Sequence, residues 1–152
     1  MEDTTEENTS MKNRNLDHKD DWKTPEYILA PLKEEYGDMF DPCPYKHDMS
    51  WDGLEIEWKS VNFVNPPYSR KLKEAFIRKA HAEWKKGKTI VMLLPVSTST
   101  AIFHDYIYGQ ADIHFFRGRI RFEGVNTAGE HVSDKCGMHD SMLVVYPQKT
   151  NS

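Results

Sequence analysis

Cysteine is scarce: Cys43 and Cys136 are the two in 152 residues, too few for a disulfide framework. Long apolar runs are missing as well. None approaches the ~20 residues needed to span a bilayer, and the acidic, polar first residues lack the apolar segment of a secretory signal. These absences point to reduced thiols and to the cytoplasm, with no membrane partner. Metal-ligand spacing is thin too. Cys136 and His139 in "CGMH" supply two ligands where a structural zinc takes about four, and Cys43 and His47 do not complete the set, so no metal is expected. No internal repeat occurs, and the length suits one domain with a real core.

Charge is unevenly spread. Residues 1–21 hold seven acids against three bases, which accounts for the whole formal charge of −4. With almost no apolar residues, this segment reads as a disordered acidic tail. The remainder divides into a domain over 22–148 and a short C-terminal tail, 149–152. Inside the neutral body, residues 70–88 carry eight bases against Glu74 and Glu83, and Arg117, Arg119 and Arg121 form a second cluster. Charge alone favours a solvated helix face for the first of these. For "RGRIRF", a sheet edge kept soluble by arginines and a phosphate contact are equally good readings.

The order of elements implies an α/β fold. "TPEYILAPLKEEYG" (24–37) reads as a helix with Thr24 as N-cap, Pro25 at the first helical position and Gly37 past the end; Pro31 is its weak point, where the helix would bend or split. "DMFDPCP" reads as a short strand entering a Pro-rich turn, and 61–64 as a second strand. "KLKEAFIRKAHAEWKKG" (71–87) places Leu72, Phe76, Ile77, Ala80 and Trp84 on one helical side. "TIVMLLP" (89–95) has the continuous apolarity of a strand buried on both faces. "AIFHDYIYG" reads as a short helix, "ADIHFFRGRIRFEG" as strand-like with Gly118 at a turn or bulge, "GVNTAGEHVSDKCG" as an irregular polar loop, and "MLVVYP" as a last strand. The alternation predicts a mainly parallel sheet with helices on both faces, and ligands then sit beyond the carboxyl ends of the strands. Trp22, Trp51, Trp58 and Trp84 read as packing residues rather than a base-stacking array.

One stretch does not look like packing. In "VNFVNPPYS" the strand 61–64 ends in Asn65, then Pro66 and Pro67, then Tyr68. Prolines stop the ladder and stiffen the backbone, so an amide, a carbonyl and an aromatic face are held at fixed separation. That set suits alkylation of an aromatic exocyclic amine such as that of adenine, whose lone pair is delocalised into the ring. Two acceptors on its N–H bonds, the Asn65 amide oxygen and the Pro66 carbonyl, would draw the nitrogen toward tetrahedral geometry and stabilise the charge that develops there. Tyr68 would stack on a base swung out of the helix.

At these residues the sequence resembles the DNA amino-methyltransferases, whose hallmark is Asp/Asn/Ser-Pro-Pro-Tyr/Phe. Together with "DWKTPEYILAPLKEEYGDMFDPCP", "WDGLEIEWKSVNFVNPPYSR", "GKTIVMLLPVSTSTAIFH", "ADIHFFRGRIRF" and "SMLVVYP", it looks like the phage-type DNA N6-adenine methyltransferases, the Dam family of phages and prophages, over roughly 22 to 147. The resemblance implies a Rossmann-like fold using S-adenosylmethionine as methyl donor and DNA as substrate, acting in the host cytoplasm if the chain is phage-encoded. It implies that Asn65, Pro66, Pro67 and Tyr68 are catalytic. Asp41, with Pro42 and Cys43 of the same turn, would contact the donor. Thr24 and Pro25 would enclose its methionine moiety, and Asp52 in "WDGL" would be a further contact. Arg70, Lys71, Lys73, Arg117, Arg119 and Arg121 would meet nucleic acid. Because the hallmark admits Asp in first position, the resemblance also implies that Asn65→Asp keeps substantial activity.

Two features depart from the family pattern. "DPCPYKHD" lacks the usual glycine after the acidic turn, none occurring before Gly53, and a separate target-recognition domain is not expected, so selectivity is expected to come from loops such as 123–140 or to be slight. Alternatives remain open at this level. Asp41 could simply cap backbone N–H groups in a turn. The same hook could methylate N4 of cytosine, RNA or a protein glutamine, or the chain could be a non-catalytic nucleic-acid-binding remnant of the fold.

Overall fold

The computed structural model describes residues 21–45, 50–125, 130–136 and 139–147; the acidic tail 1–20 lies outside them. The chain runs β1 (Asp21–Lys23), α1 (Glu26–Tyr36), β2 (Val61–Val64), α2 (Arg70–Lys85), β3 (Thr89–Pro95), α3 (Ala101–Tyr106), β4 (Asp112–Phe115), β5 (Arg121–Val125), β6 (His131–Cys136) and β7 (Ser141–Tyr146). Four strands form one sheet in the order β2-β3-β7-β4, and β1-β5-β6 form a second.

Strand β3 shows why an unbroken apolar run was needed: all seven of its residues are buried. Successive strand side chains point to opposite faces, and here each face meets a different layer. Ile90, Met92 and Leu94 join Val64, Val144 and Tyr146 against Phe76, Ala80 and Trp84 of α2 and Ile102 and Phe103 of α3. Val91 and Leu93 join Phe63 and Val145 in a second cluster with Ile28 and Leu32 of α1 and with Ile120 and Phe122. This second cluster ties the three-stranded sheet to the α1 face.

The sheet is mixed, where the sequence suggested a mainly parallel one. Strand β2 pairs with β3 in parallel, but β7 runs antiparallel to both β3 and β4. An apolar run such as "MLVVYP" carries no mark of its direction. The strand expected at "DMFDPCP" shrinks to a single parallel bridge, Phe40 opposite Asn62, because Pro42 and Pro44 leave no donors to extend the ladder.

Other differences are local. Pro25 occupies the N-cap of α1, not Thr24, with no side-chain cap bond, and Pro31 sits inside the helix without ending it. Pro31 is exposed, so the buried stripe of Ile28 and Leu32 is undisturbed. Gly37 closes the helix with φ 76°, a conformation that favours glycine, and its N–H bonds the Lys33 carbonyl. Strand β1 begins at Asp21, within the stretch assigned to the tail. The supposed polar loop holds β6, paired antiparallel with β5 across an irregularity between Phe122 and Gly124. "RGRIRF" is not an edge: Gly118 turns at φ 77°, and Arg121 opens the central strand of the small sheet.

Candidate active site

The carboxyl ends of β2 and of the Phe40 bridge lie side by side. Phe40 N–H donates to the Val61 carbonyl and Phe63 N–H to the Phe40 carbonyl, each at 2.9 Å. Because the pairing is parallel, the next residues out, Asp41 and Asn65, leave the sheet at the same edge. A cleft of about 560 Å³ opens there, lined by Asn65, Asp41, Cys43, Thr24, Pro25 and, from β5, Phe122. The structure therefore gathers residues that the sequence scatters over more than forty positions.

Asn65 is buried, with 8% exposure. Its amide nitrogen donates to the Trp22 carbonyl at 3.0 Å and to Thr24 Oγ1 at 3.0 Å. Its Oδ1 is buried and has no hydrogen-bond partner among the described residues. Buried acceptors are normally satisfied, so this oxygen is a candidate ligand contact in the cleft. Pro66 and Pro67 are buried behind it. Tyr68 is half-buried and meets Phe122 edge-on, ring centroids 6.1 Å apart at 86°. Phe122 also packs against Trp22 at 6.2 Å.

The turn after Phe40 is built on Asp41, whose Oδ1 accepts from Cys43 N–H at 2.8 Å. Asp41 is thus a turn residue and a cleft residue at once. Asp52 repeats the motif, its Oδ1 accepting from Leu54 N–H at 2.9 Å, but it does not line the cleft. Pro42 is buried beneath the backbone of Gly53. There a β-carbon would lie 1.8 Å from the Pro42 carbonyl oxygen. The acidic turn, which lacks a glycine of its own, is thus packed against one from a later loop. Trp58 fixes that loop, its Nε1 donating to the Gly53 carbonyl at 2.7 Å. Trp58 N–H in turn donates to Glu83 Oε1 at 3.1 Å.

Glu83 is 1% exposed and paired with Lys79 at 2.9 Å, Lys86 at 3.2 Å and, more closely, Lys88. Burial alone would raise its carboxyl. The hydrogen bonds from Lys88, Lys79, the Trp58 backbone and Lys86 outweigh that and hold it at about 2. Five of the eight bases in 70–88 are engaged this way or by Glu74, which pairs with Arg70 at 3.1 Å and Arg78 at 3.4 Å.

The residues expected to meet nucleic acid lie on α2, in the turn before β5 and on β5. Arg70 and Lys73 line a second cleft of about 320 Å³ between the starts of α2 and α3. Lys71 is exposed on α2 and Arg117 in the turn before β5. Arg119 pairs with Asp140 at 3.3 Å, and Arg121 lines the first cleft. Trp58 and Trp84 are buried, Trp22 rests on Phe122 and Trp51 on Phe40, so the tryptophans pack rather than form an array. Among the described residues no group of three or more His, Cys, Asp or Glu could hold a metal; residues 137 and 138 of "CGMH" lie outside them. Sequence reasoning missed the Trp22 carbonyl and Phe122. Neither carries a local signal, since a carbonyl is common to every residue and Phe122 reads as an ordinary strand aromatic.

Comparison with known proteins identifies the family. The family described as DNA N-6-adenine-methyltransferase (Dam) matches residues 11–151. The chain is similar to a DNA N-6-adenine-methyltransferase of Escherichia phage T1, 31% identical in an alignment 107 residues long that covers 62% of this chain and 44% of the relative. The chain thus spans less than half the length of the curated relative it matches. No solved structure matches it.

Proposed function

The chain belongs to the DNA N-6-adenine-methyltransferase (Dam) family, and on that footing we propose that it methylates N6 of adenine in DNA with S-adenosylmethionine as donor. The observation that carries the proposal is the buried Oδ1 of Asn65, without a partner among the described residues, in a cleft shared with Asp41. Such an acceptor suits an N–H bond of the adenine amine. It strengthens as positive charge develops at nitrogen, so it acts chiefly on the transition state. No base is needed before attack, because the alkylated ammonium loses its proton readily. Tyr68, held edge-on by Phe122, would present its face to a base turned out of the stack.

The donor fits the same cleft. Asp41 and Cys43 line it and would contact the donor, with Pro42 shaping their turn, while Thr24 and Pro25 would enclose its methionine moiety. S-adenosylmethionine supplies the electrophilic methyl group when bound. We read the mixed sheet as Rossmann-like: β2, β3 and β4 share one direction and β7 alone is reversed. Arg70, Lys73 and Arg121, at the two clefts, would meet phosphates. Among the described residues no helix is long and apolar enough to cross a membrane, and we place the reaction in the cytoplasm.

Incubation with tritiated donor and matched DNA, RNA and protein acceptors, followed by nucleoside digestion, tests the proposal. Label in N6-methyladenine from DNA is expected. Label confined to N4-methylcytosine, RNA or glutamine, or no label despite a folded protein, would overturn it.

A further inference from the structure

We infer that Thr24 is a positioning residue for Asn65, and that together with the Trp22 carbonyl it makes this site selective for an amide over a carboxylate at position 65. The inference rests on the adenine-methylating reading above. Amide orientation is often ambiguous, but here chemistry decides it. A backbone carbonyl can only accept, so the atom 3.0 Å from the Trp22 oxygen must be the amide nitrogen. The second N–H is met by Thr24 Oγ1 at 3.0 Å. Both donors are spent on β1 and the residue next to it, which leaves Oδ1 as the atom for the substrate. Strand β1 is itself fixed by its pairing with β5, Trp22 opposite Gly124.

A carboxylate at 65 would meet this clamp differently. One of its oxygens would stand 3.0 Å from the Trp22 oxygen with no proton between them. The Thr24 hydroxyl can turn to donate, but the carbonyl cannot. Only protonated aspartic acid, its O–H on the Trp22 carbonyl, restores the arrangement, and burial favours that neutral form. The tolerance of Asn65→Asp implied by the family hallmark is therefore reversed for this chain. Activity of the variant should follow its protonated fraction and rise as pH falls. The other titratable groups at the cleft are Lys23 of β1, Glu26 of α1, Asp41, Cys43 and Tyr45 of the turn, and Arg121 and Glu123 of β5, with Tyr68 beside Phe122. All are common to wild type and variant, so the ratio of their rates isolates position 65.

Single-turnover methylation of adenine-containing DNA, with saturating donor, tests the clamp on the full chain. Thr24→Val is expected to lower the transfer rate about tenfold, the scale of one lost hydrogen bond, and Thr24→Ser to recover most of it. Asn65→Asp relative to wild type should gain rate as pH falls from about 8 to about 6. A readout independent of activity is the side-chain amide of Asn65 in nitrogen-15 spectra, where Thr24→Val should lose protection from hydrogen exchange on one proton. If wild type methylates no adenine, the proposed function fails and the amide protons alone decide the clamp. If wild type is active and Thr24→Val matches it in rate and amide protection, the positioning role is overturned while the function stands. An Asn65→Asp variant with the wild-type pH profile would overturn the selectivity.

Discussion

Gly53 and Pro42 are pressed backbone to backbone: a β-carbon on Gly53 would fall 1.8 Å from the Pro42 carbonyl oxygen and 2.8 Å from its carbon. Neither partner is a flexible side-chain end, so a substitution there must move a loop. Gly53→Ala is expected to destabilise the fold by about 1–3 kcal/mol, the range for overpacking. Because Pro42 follows Asp41, it should also weaken donor binding. Thermal unfolding and calorimetric titration with S-adenosylmethionine check both effects; an unchanged melting temperature and affinity would mean that the two loops are not coupled.

Asp41 needs two variants, since it serves its own turn. Asp41→Asn keeps an oxygen for Cys43 N–H and removes the charge, whereas Asp41→Ala removes both. If the carboxylate contacts the donor, both should weaken its binding, the alanine variant by about 1–3 kcal/mol. Calorimetric affinities equal to wild type in both would reduce Asp41 to a turn residue.

Legibility divided along the line between local and non-local information. The run 89–95 announced a strand buried on both faces, which is found; the spacing of Leu72, Phe76, Ile77, Ala80 and Trp84 announced the buried side of α2, where all but the half-buried Leu72 are buried. Strand β6 was missed because "HVSDKC" has too little apolar alternation, and its order comes from the ladder with β5. The reversal of β7 depends on chain routing, not on composition. Asn65, Asp41 and Thr24 were legible through the hook and the family resemblance. That Thr24 and Trp22 orient Asn65 was not, since those bonds span 41 and 43 positions and one acceptor is a bare carbonyl.

Glu83 should make stability pH-dependent in a defined window. Its carboxyl sits at about 2 in the folded protein, against an ordinary 4.5. A depressed carboxyl contributes stability above its unfolded value, and that contribution is lost as pH falls through the folded one. The shift corresponds to about 3 kcal/mol at neutral pH, dropping to less than half by about pH 3. Urea unfolding of wild type and Glu83→Gln at both pH values checks this. A stability gap that does not narrow on acidification would show that the lysine cluster does not hold Glu83 ionised.

Tyr68 is expected to act on binding of the extruded base. Tyr68→Ala should weaken the complex with 2-aminopurine-substituted DNA by about 1–3 kcal/mol, the scale of one base–aromatic stack, while Tyr68→Phe keeps the ring and most of the affinity. Fluorescence titration reads this directly. Equal affinity for the alanine variant would confine Tyr68 to packing on Phe122.

The central claim is that the buried Oδ1 of Asn65 serves the transition state of methyl transfer. The most direct measurement is the single-turnover methylation rate of Asn65→Ala on adenine-containing DNA at saturating donor, with circular dichroism to show an intact fold. The rate should fall by about 10²–10³, the usual effect of removing one preorganised hydrogen-bonding group, with donor affinity little changed. A folded Asn65→Ala protein that methylates adenine at the wild-type rate would contradict the account.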